Sequence, residues 1–450
     1  MLGCAGSKET DPKAETGEEL SGGTFTSQVD GENAFAAAGP GLSERQQNEF
    51  ELGNSLFRSN WVAAPASATA RDGLGPVMNA LSCGACHPKD GRSMPPQSAD
   101  ENPVGLLFRL SQHAMAGYEG DGVPSANYGM QLNNRAIAGV QPEGTVQVTY
   151  TERVGAFADG STFSLRTPAY NFSLNYGEFE AGIDISPRIG QQVFGLGLLE
   201  AISEQDILAN EDPQDADKNG ISGRANRVRS RPNEPLQLGR FGWKANVSNI
   251  IEQIAAAAQG DLSLTSNLQP NENLTGIVWD RYSALPNGGN PELPDQSLGA
   301  LATYLQGIAP PARRSVAEAD VLKGKALFTK LNCSGCHAPK FTTGQHPMAP
   351  LVGQTIRPYT DLLLHDMGEG LADGRPDGKA TGNEWRTAPL WGLGRIKDVN
   401  RHTFLLHDGR ARNAEEAILW HGGEAEKATN DYRNLAKVER QQLLSFLNSL

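Results

Sequence analysis

Two short segments constrain this chain more than any other feature, because each sets two cysteines and a histidine in the order Cys-x-x-Cys-His. The segments are Cys83-Gly-Ala-Cys86-His87 and Cys333-Ser-Gly-Cys336-His337. The chain has five cysteines in 450 residues, so the two pairs leave only Cys4. Because the pairs are tight and each is followed by a histidine, a structural disulfide framework is not indicated.

The spacing fits covalent attachment of haem. Two thiols one helical turn apart can form thioethers with the two vinyl groups of a haem, while the adjacent imidazole reaches the iron. A zinc ribbon, in which both pairs share one metal ion, and a thioredoxin-like dithiol are the alternatives. The histidine after each pair favours haem c. We therefore predict two haem c groups, with attachment sites Cys83, Cys86, Cys333 and Cys336 and axial ligands His87 and His337.

The charge of the chain excludes one class of partner. The formal net charge is -13 and the isoelectric point is about 5.2. A nucleic-acid surface normally needs a basic face, so we expect no nucleic-acid partner but a small or basic one. No segment approaches the roughly 20 apolar residues of a membrane-spanning helix, which predicts a soluble chain.

The first residues carry a possible lipid-attachment signal. Met1-Leu-Gly-Cys4-Ala is similar to the end of a bacterial lipoprotein signal, in which Cys4 would bear the lipid and tether the protein to a membrane. The alternative is that Cys4 is incidental. Residues 1–38 are polar and rich in Gly and Ala, so we predict a disordered tether there.

The order of helices and cysteine pairs predicts two similar units. Ser43 begins a capping-box pattern that predicts a helix, and an apolar repeat from Leu298 predicts another that Pro310 ends. Helices are also expected over residues 321–331 and near the C-terminus. Gly53 and Gly324 each precede a phenylalanine by four residues. We place the first domain at residues 39–311 and the second at 312–450.

One part of the first domain has a different pattern. Val146, Val148 and Tyr150 alternate with polar residues, Asp159-Gly160 can turn, and the alternation resumes at Phe163. This predicts a small β-hairpin. The fold class expected is mainly α, with two cytochrome c-like helical domains, the first enlarged by long loops and the hairpin.

Several long segments resemble one family. They are Tyr359 to Gly368, Glu384 to Gly392, His407 to Arg412, Glu416 to Glu426, Gly195 to Ile202 and Gly239 to Asn246. In their order along the chain they resemble the bacterial di-haem oxidoreductases, peroxidase-like proteins also labelled thiol oxidoreductases. Through that family the chain is distantly similar to di-haem cytochrome c peroxidases, which divide labour between an electron-relay haem and a peroxide-binding haem.

The resemblance implies a sixth ligand for the second haem. In the peroxidases an His-Asp-Gly segment precedes that ligand, and here His407-Asp-Gly precedes His421. The peroxidases usually have methionine at this position, so a His337/His421 pair implies a lower reduction potential. The competing ligands are Met367 and His365.

The first haem has no clear sixth ligand in the sequence. His113 is the candidate, and an open position is the alternative. Peroxide needs an open or displaceable position and a nearby acid or base, so the first haem is the expected site of catalysis. Glu178, Glu200 and Arg166 are possible helpers, and the sequence names no catalytic acid among them.

Three further patterns have both a functional and a structural interpretation. Asp215, Asp217 and Asn219 resemble the first half of a calcium loop, although position twelve is Asn226 rather than glutamate. A basic run could bind haem propionates or form a solvated face; its members are Arg224, Arg227, Arg229 and Arg231. Either Trp243 or Trp391 could lie between the haems, or both could simply pack in the core.

These observations support two main hypotheses of function. The first is a peroxidase-like di-haem oxidoreductase that receives electrons from a small redox protein. The second is an electron-transfer di-haem cytochrome without a substrate. A true thiol oxidoreductase is a third, although thioethers would consume all four paired cysteines. Because haem c attachment in bacteria takes place outside the cytoplasm, the expected compartment is the periplasm, with possible lipid anchoring through Cys4.

Overall fold

The computed structural model describes residues 13–112, 122–229 and 234–450. The described chain is 30% helical and 18% strand, so the prediction of a mainly α protein is wrong. Many of the strands are two- or three-residue pairs, which carry no periodic signal in the sequence. Cys4 and His113, for which the sequence made predictions, lie outside the described residues.

The described residues form twelve α-helices. They are α1 Glu44–Arg58, α2 Cys83–Cys86, α3 Leu196–Glu200, α4 Glu204–Leu208, α5 Ile250–Leu262, α6 Gly276–Tyr282, α7 Asp295–Gly307, α8 Ala319–Lys330, α9 Ile396–Asn400, α10 Ala414–Trp420, α11 Glu426–Asn434 and α12 Lys437–Ser449. None of these helices combines the length and the apolar character that crossing a bilayer would require. The four helices predicted from the sequence are confirmed as α1, α7, α8 and α12.

The capping box predicted at the start of α1 is present. The Ser43 hydroxyl accepts from the N–H of Gln46 at 3.4 Å, and the Gln46 side chain accepts from the N–H of Ser43 at 3.0 Å. This reciprocal arrangement satisfies backbone donors that have no partner within the helix. At the other end of the first unit, α7 ends at Gly307 before the Pro310-Pro311 pair.

Two helix pairs cross at very short range, and a glycine makes each crossing possible. In the α1/α7 pair, a Cβ on Gly53 would lie 2.1 Å from the Ala300 carbonyl oxygen. In the α8/α12 pair, a Cβ on Gly324 would lie 2.0 Å from the Gln442 carbonyl oxygen. Both glycines therefore serve the same purpose, and the two units repeat one helical arrangement.

The strands form six antiparallel pairs in the described part of the chain. Their bounds are β1 Val77–Met78, β2 Leu106–Gln112, β3 Arg135–Ala136, β4 Gly144–Ala156, β5 Thr162–Leu174, β6 Ile183–Ile189, β7 Arg227–Val228, β8 Gln237–Leu238, β9 Phe341–Thr342, β10 Thr355–Ile356, β11 Leu364–Asp366 and β12 Glu384–Arg386. The pairs are β1/β3, β2/β6, β4/β5, β7/β8, β9/β10 and β11/β12.

The predicted hairpin is present but is not small. Its strands β4 and β5 have 13 residues each, with Val148 opposite Tyr170. The hairpin extends along the C-terminal half, where Phe157 and Leu165 pack in the same apolar cluster as α12. Packing against this distant surface explains why the alternation continues beyond the segment that the sequence indicated.

The two largest apolar clusters each combine residues from both halves of the chain. The first surrounds α1, α5 and α7 and includes Phe341, Leu351 and Trp391 from the C-terminal half. The second surrounds α8 and α12 and includes Leu165 and Trp243 from the N-terminal half. The halves therefore pack extensively on each other, and the domain boundary at residues 311–312 stays a prediction.

Candidate functional site

The first cysteine pair lies at the wall of a large cavity. Cys83 begins α2, Cys86 ends it, and the N–H of His87 donates to the Cys83 carbonyl at 3.0 Å. All three side chains line a cavity of about 590 Å³ that is partly open to solvent. Small-molecule sites usually enclose roughly 300–1,000 Å³. This cavity, which we call the first cavity, has room for a cofactor of haem size.

The second cysteine pair lies at a separate cavity. Cys333 begins a short 3₁₀ turn after α8, and the N–H of His337 donates to the Cys333 carbonyl at 3.0 Å. Together with Cys336 they line the second cavity, which is also partly open to solvent. Each pair therefore opens onto a cavity of its own.

The histidine after each pair is held in the same way. The Nδ1–H of His87 donates to the Gln191 carbonyl at 2.5 Å, and that of His337 donates to the Tyr359 carbonyl at 2.9 Å. A carbonyl can only accept, so Nδ1 carries the proton and the lone pair is on Nε2, as in most metal-binding histidines. Burial lowers the pKa of both, that of His337 to about 4, so both rings are neutral.

A phenylalanine from the neighbouring helix contacts each of these rings. The ring centroids of Phe57 and His87 are 6.1 Å apart, and those of Phe328 and His337 are 6.2 Å apart. Phe57 lies on α1 and Phe328 on α8, each one turn after the crossing glycine. The glycine, phenylalanine and Cys-x-x-Cys-His segment thus form one repeated unit of structure.

The four paired thiols do not converge on a common point. Within residues 13–112, 122–229 and 234–450, the only group of three metal-binding side chains within 4.8 Å consists of aspartates. The thiols are free, and burial raises the pKa of Cys83 and of Cys333 to about 12. A shared zinc ion is excluded by this geometry, and a reactive dithiol needs a lowered thiol pKa instead.

His421 shares the second cavity with His337. It caps the C-terminus of α10, and its Nδ1–H donates to the Ala417 carbonyl at 2.5 Å, which leaves the lone pair on Nε2. Burial lowers its pKa, and it lies near enough to His337 to contribute to the lowered pKa of that ring. The two imidazoles thus occupy one cavity in the same tautomer.

The two competing ligands also line the second cavity but differ in availability. Both ring nitrogens of His365 are engaged, Nε2 with Asp361 at 2.8 Å and Nδ1 with Glu424 at 2.7 Å. These carboxylates hold the pKa of His365 well above its usual range, so the ring is protonated and has no lone pair for a metal. Met367 lines the cavity without such engagement.

The first cavity has a different composition. Among the described residues that line it, His87 is the only histidine, and methionine, tyrosine and lysine are absent. A second strong axial ligand is therefore not found in the described part of its wall. His113, the predicted candidate, lies outside the described residues.

A buried acid at the first cavity was missed by the sequence reasoning. Asp261 lies near the end of α5, and the Gln131 side chain donates to it at 2.7 Å. Burial raises its pKa to about 6, and its charge influences the pKa of both Cys83 and Cys86. The sequence indicates Asp261 only as an acidic residue near the end of an alanine-rich helix.

Three residues line both cavities and so lie between them. They are Gln192, Trp243 and Arg386. The indole N–H of Trp243 donates to the Ile189 carbonyl at 2.9 Å, which fixes the ring between the two sites. Trp391, the other tryptophan considered, is 1% exposed and lines neither cavity.

The predicted catalytic helpers lie elsewhere. Glu178 is exposed, and Glu200 accepts from Gln306 and from the N–H of Ile250. Arg166 donates to the carbonyls of the His407-Asp-Gly-Arg segment. None of the three lines either cavity, so the structure does not bring them to a site.

The basic run is mostly paired with acids. Arg224 forms an ion pair with Glu384, and Arg227 forms one with Glu204 at 2.5 Å. Arg229 donates to the Glu234 carbonyl and lines the first cavity, while Arg231 lies outside the described residues.

The proposed calcium loop is only partly assembled. The carboxylates of Asp215 and Asp217 lie within 4.8 Å of each other and of Asp212, which the sequence pattern did not include. The Asn219 amide donates to Asp217 at 2.8 Å. Asn226, at position twelve, is buried and donates to the carbonyls of Lys244 and Asp377.

The fold and the two cavities define a class of protein with two repeated cofactor sites, each a Cys-x-x-Cys-His segment at the wall of a cavity. The family model described as "Di-haem oxidoreductase, putative peroxidase" matches residues 16–450. The chain belongs to this family, as the resemblance of its segments implied. No curated protein matches the chain.

Proposed function

We propose that the protein is a di-haem c oxidoreductase that reduces peroxide. The first haem is attached through Cys83 and Cys86 and the second through Cys333 and Cys336. The observation that carries the proposal is that His87 and His337 each present a neutral imidazole, fixed by a carbonyl, at a separate cofactor-sized cavity. When bound, haem supplies an iron that exchanges single electrons and, where a position is open, takes up peroxide.

The two cavities support different roles. In the second, His337 and His421 hold lone pairs on Nε2 in one cavity, which suits six-coordinate iron and electron relay. In the first, the described wall offers only His87, which suits an open position. With haem in both cavities, the second site would accept electrons from a small donor protein and the first would use them, and Trp243 lies between the two cavities.

Asp261 is the acid/base group we assign to the first cavity. Peroxide cleavage needs a group that takes a proton from one oxygen and returns it to the other. The pKa of Asp261 is raised by burial to about 6, so its carboxyl exchanges a proton close to neutral pH. The Gln131 amide holds the carboxyl in place.

Spectroscopy of the purified, haem-loaded protein tests the proposal. We would record absorption and low-temperature EPR spectra of the oxidised and half-reduced forms, before and after peroxide. The proposal requires one high-spin ferric signal that peroxide changes and one low-spin signal. Two low-spin signals that neither half-reduction nor peroxide alters would instead establish the electron-transfer cytochrome. A protein without covalent haem would exclude both functions.

Location and partners complete the proposal. We place the protein in the periplasm, with a small redox protein as partner and with lipid on Cys4 as the tether.

Calcium at Asp215 and Asp217 is proposed as a structural ion beside the second cavity, of which Asn219 forms part of the wall. Isothermal titration with Ca²⁺ tests it, and an Asp217→Asn chain should lose the binding heat. Intact-mass measurement of the membrane-extracted protein tests the proposed lipid on Cys4.

A further inference from the structure

Two buried guanidinium groups lie where the two cavities approach each other. Arg92 is 3% exposed and lines the second cavity, and Arg386 on β12 is 6% exposed and lines both. The guanidinium carbon of Arg92 lies 5.5 Å from the centre of the Trp243 ring. The backbone N–H of Arg386 donates to the Trp243 carbonyl at 2.9 Å. Both arginines are therefore anchored beside the same tryptophan.

Every hydrogen-bond partner of the Arg92 guanidinium among the described residues is neutral. Its Nη1 donates to the Gln192 side chain at 3.2 Å and its Nη2 donates to the Leu406 carbonyl at 2.9 Å. Its Nε is buried and meets no acceptor in the described part of the chain. Burial lowers the pKa of Arg92 to about 10, with no carboxylate to oppose the effect.

Arg386 is held in the same manner. Its Nε donates to the Gly242 carbonyl at 2.8 Å, its Nη1 to the Thr387 carbonyl at 3.1 Å, and its Nη2 to the Gln191 side chain at 3.1 Å. Burial lowers its pKa to about 10 as well, and the Asp361 carboxylate, which does not hydrogen-bond to it, opposes the effect. The side chain is thus fixed and charged, and amide and carbonyl groups alone surround it at hydrogen-bond distance.

Most other buried arginines of the described chain have an acid instead, and Arg166, which donates only to two carbonyls and the Gln97 side chain, is an exception. Arg188 pairs with Asp377, Arg313 with Glu18, and Arg410 with Asp408. A buried charge without a counterion costs free energy, which an anion entering the site would recover. The two unpaired cations therefore indicate that an anionic group belongs at the junction of the cavities.

We propose that Arg92 and Arg386 bind the propionates of the two haems, so that the propionate edges of both meet beside Trp243. This inference rests on the proposed function, because it requires haem in both cavities. A haem carries its propionates at the edge away from the vinyl groups, which are bound here by the cysteines. Guanidinium groups bind carboxylates with paired, charge-assisted hydrogen bonds. Arg386 contacts both haems, and Arg92 contacts the second.

The positive charges have a measurable consequence for the haems. A cation near the iron stabilises the reduced, less positive state and raises the reduction potential. Neutralising Arg386 should therefore shift both midpoint potentials to more negative values. Neutralising Arg92 should shift mainly that of the second haem.

The experiment compares Arg386→Gln, Arg92→Gln and Arg386→Lys with Arg240→Gln. Arg240 is a control because it is partly buried, donates to the Leu199 and Ile202 carbonyls, and lines neither cavity. Haem content is measured first by intact mass. Midpoint potentials then come from spectroelectrochemical titration, and resonance Raman bands of propionate bending report the hydrogen bonds directly.

We expect two covalent haems in every variant. Arg386→Gln should lower both midpoint potentials, and Arg386→Lys should restore them. The propionate bands should change in Arg386→Gln and in Arg92→Gln. If the midpoint potentials and propionate bands stay unchanged, or move no more than in Arg240→Gln, the proposed binding of the propionates by Arg92 and Arg386 is overturned. The proposed function is left intact by that result. If Arg386→Gln does not accumulate, Arg92→Gln alone decides by the same criteria. Absence of haem from the unmodified protein sinks the proposed function itself.

Discussion

At the scale of single residues, four histidines share one arrangement, in which Nδ1–H donates to a backbone carbonyl. They are His87, His337, His421 and His407. Such a bond fixes the ring and raises the basicity of Nε2, which strengthens metal binding. The first two follow a motif that is visible in the sequence. His421 was named only because the family resemblance implied a ligand on the helix after the His407-Asp-Gly segment.

Substitution of His421 should change the second haem alone. We expect His421→Ala to open the iron and convert the low-spin signal to high-spin, because a ligand is lost. His421→Met should raise the midpoint potential, since thioether ligation favours the reduced state. EPR and spectroelectrochemistry measure both. Met367→Leu is the control, and if it rather than His421→Ala removed the low-spin signal, the sixth ligand would be Met367.

Asp261 should control the pH dependence of peroxide reduction. Since the pKa is raised by burial to about 6, the carboxyl is mostly ionised at pH 7 and can accept a proton from peroxide. Turnover should rise with pH through about 6. Asp261→Asn should lower turnover by roughly 10²–10⁴-fold and abolish this rise. Steady-state rates from pH 5 to about pH 8 measure it.

Glu143 provides a control for the Asp261 experiment. Burial raises its pKa to about 8, but it accepts from the N–H of Asn133 and lines neither cavity. Glu143→Gln should leave the rise near pH 6 in place. If both variants lost the rise in turnover near pH 6, or if Asp261→Asn retained that rise, the group with this pKa would lie elsewhere.

The contribution of Asp261 to the stability of the folded chain should decrease as the pH rises. The pKa in the folded state is above the ordinary carboxyl value of about 3.9. Its contribution to stability is therefore complete below about pH 4 and is lost as the pH rises through 6. In Asp261→Asn this loss should be absent, and urea denaturation at pH 4 and at pH 7 should show a smaller difference than in the parent chain. An unchanged difference would mean that Asp261 is not buried as described.

The sequence predicts the attachment residues because their chemistry is local, within five consecutive positions. It does not predict Asp261 or Arg386, because the significance of each depends on residues far away in the chain. Asp261 meets Gln131, and Arg386 meets Gln191 and Gly242. One of two acids on an alanine-rich helix, or a single arginine in a three-residue strand, has no distinctive spacing.

At the scale of elements, the two close helix crossings should be intolerant of any side chain. A Cβ at Gly53 would overlap the Ala300 carbonyl oxygen, and one at Gly324 would overlap the Gln442 carbonyl oxygen. Backbone atoms cannot move aside without shifting the helix. We expect Gly53→Ala and Gly324→Ala each to lower the free energy of unfolding by about 1–3 kcal/mol, as overpacking does. Denaturant titration measures the change.

Gly299 supplies the matched control for these substitutions. It lies in α7, and nothing would stand within 4 Å of an added Cβ. Alanine is favoured over glycine in a helix interior by about 1 kcal/mol, so Gly299→Ala should be neutral or stabilising. A loss in Gly299→Ala as large as that in Gly53→Ala would contradict the close-crossing explanation.

The elements could be predicted where their pattern extends over several turns. The helices α1, α7, α8 and α12 combine a cap or a proline stop with an apolar repeat, and all four were expected. The hairpin was expected from its alternation, although its length depends on distant packing. Two-residue pairs such as β7/β8 and three-residue pairs such as β11/β12 are set by tertiary contacts. They make the fold less helical than the sequence indicates.

At the scale of the whole molecule, each cavity should hold its haem through its own cysteines. Replacing Cys83 and Cys86 with serine should leave one covalent haem with a low-spin spectrum. Replacing Cys333 and Cys336 should leave one with a high-spin spectrum. Intact mass and EPR distinguish the two chains. Identical spectra would contradict the division of roles, and loss of both haems in either chain would show that the sites do not mature separately.

The shared apolar clusters have a consequence for how the protein is made. The cluster around α1, α5 and α7 needs Phe341, Leu351 and Trp391, which are synthesised after the first Cys-x-x-Cys-His segment. Until those residues emerge, the wall that carries Cys83 and Cys86 cannot close completely. Under the proposed function, this leaves an interval before the C-terminal half packs over the first site, in which both thiols are accessible for covalent attachment.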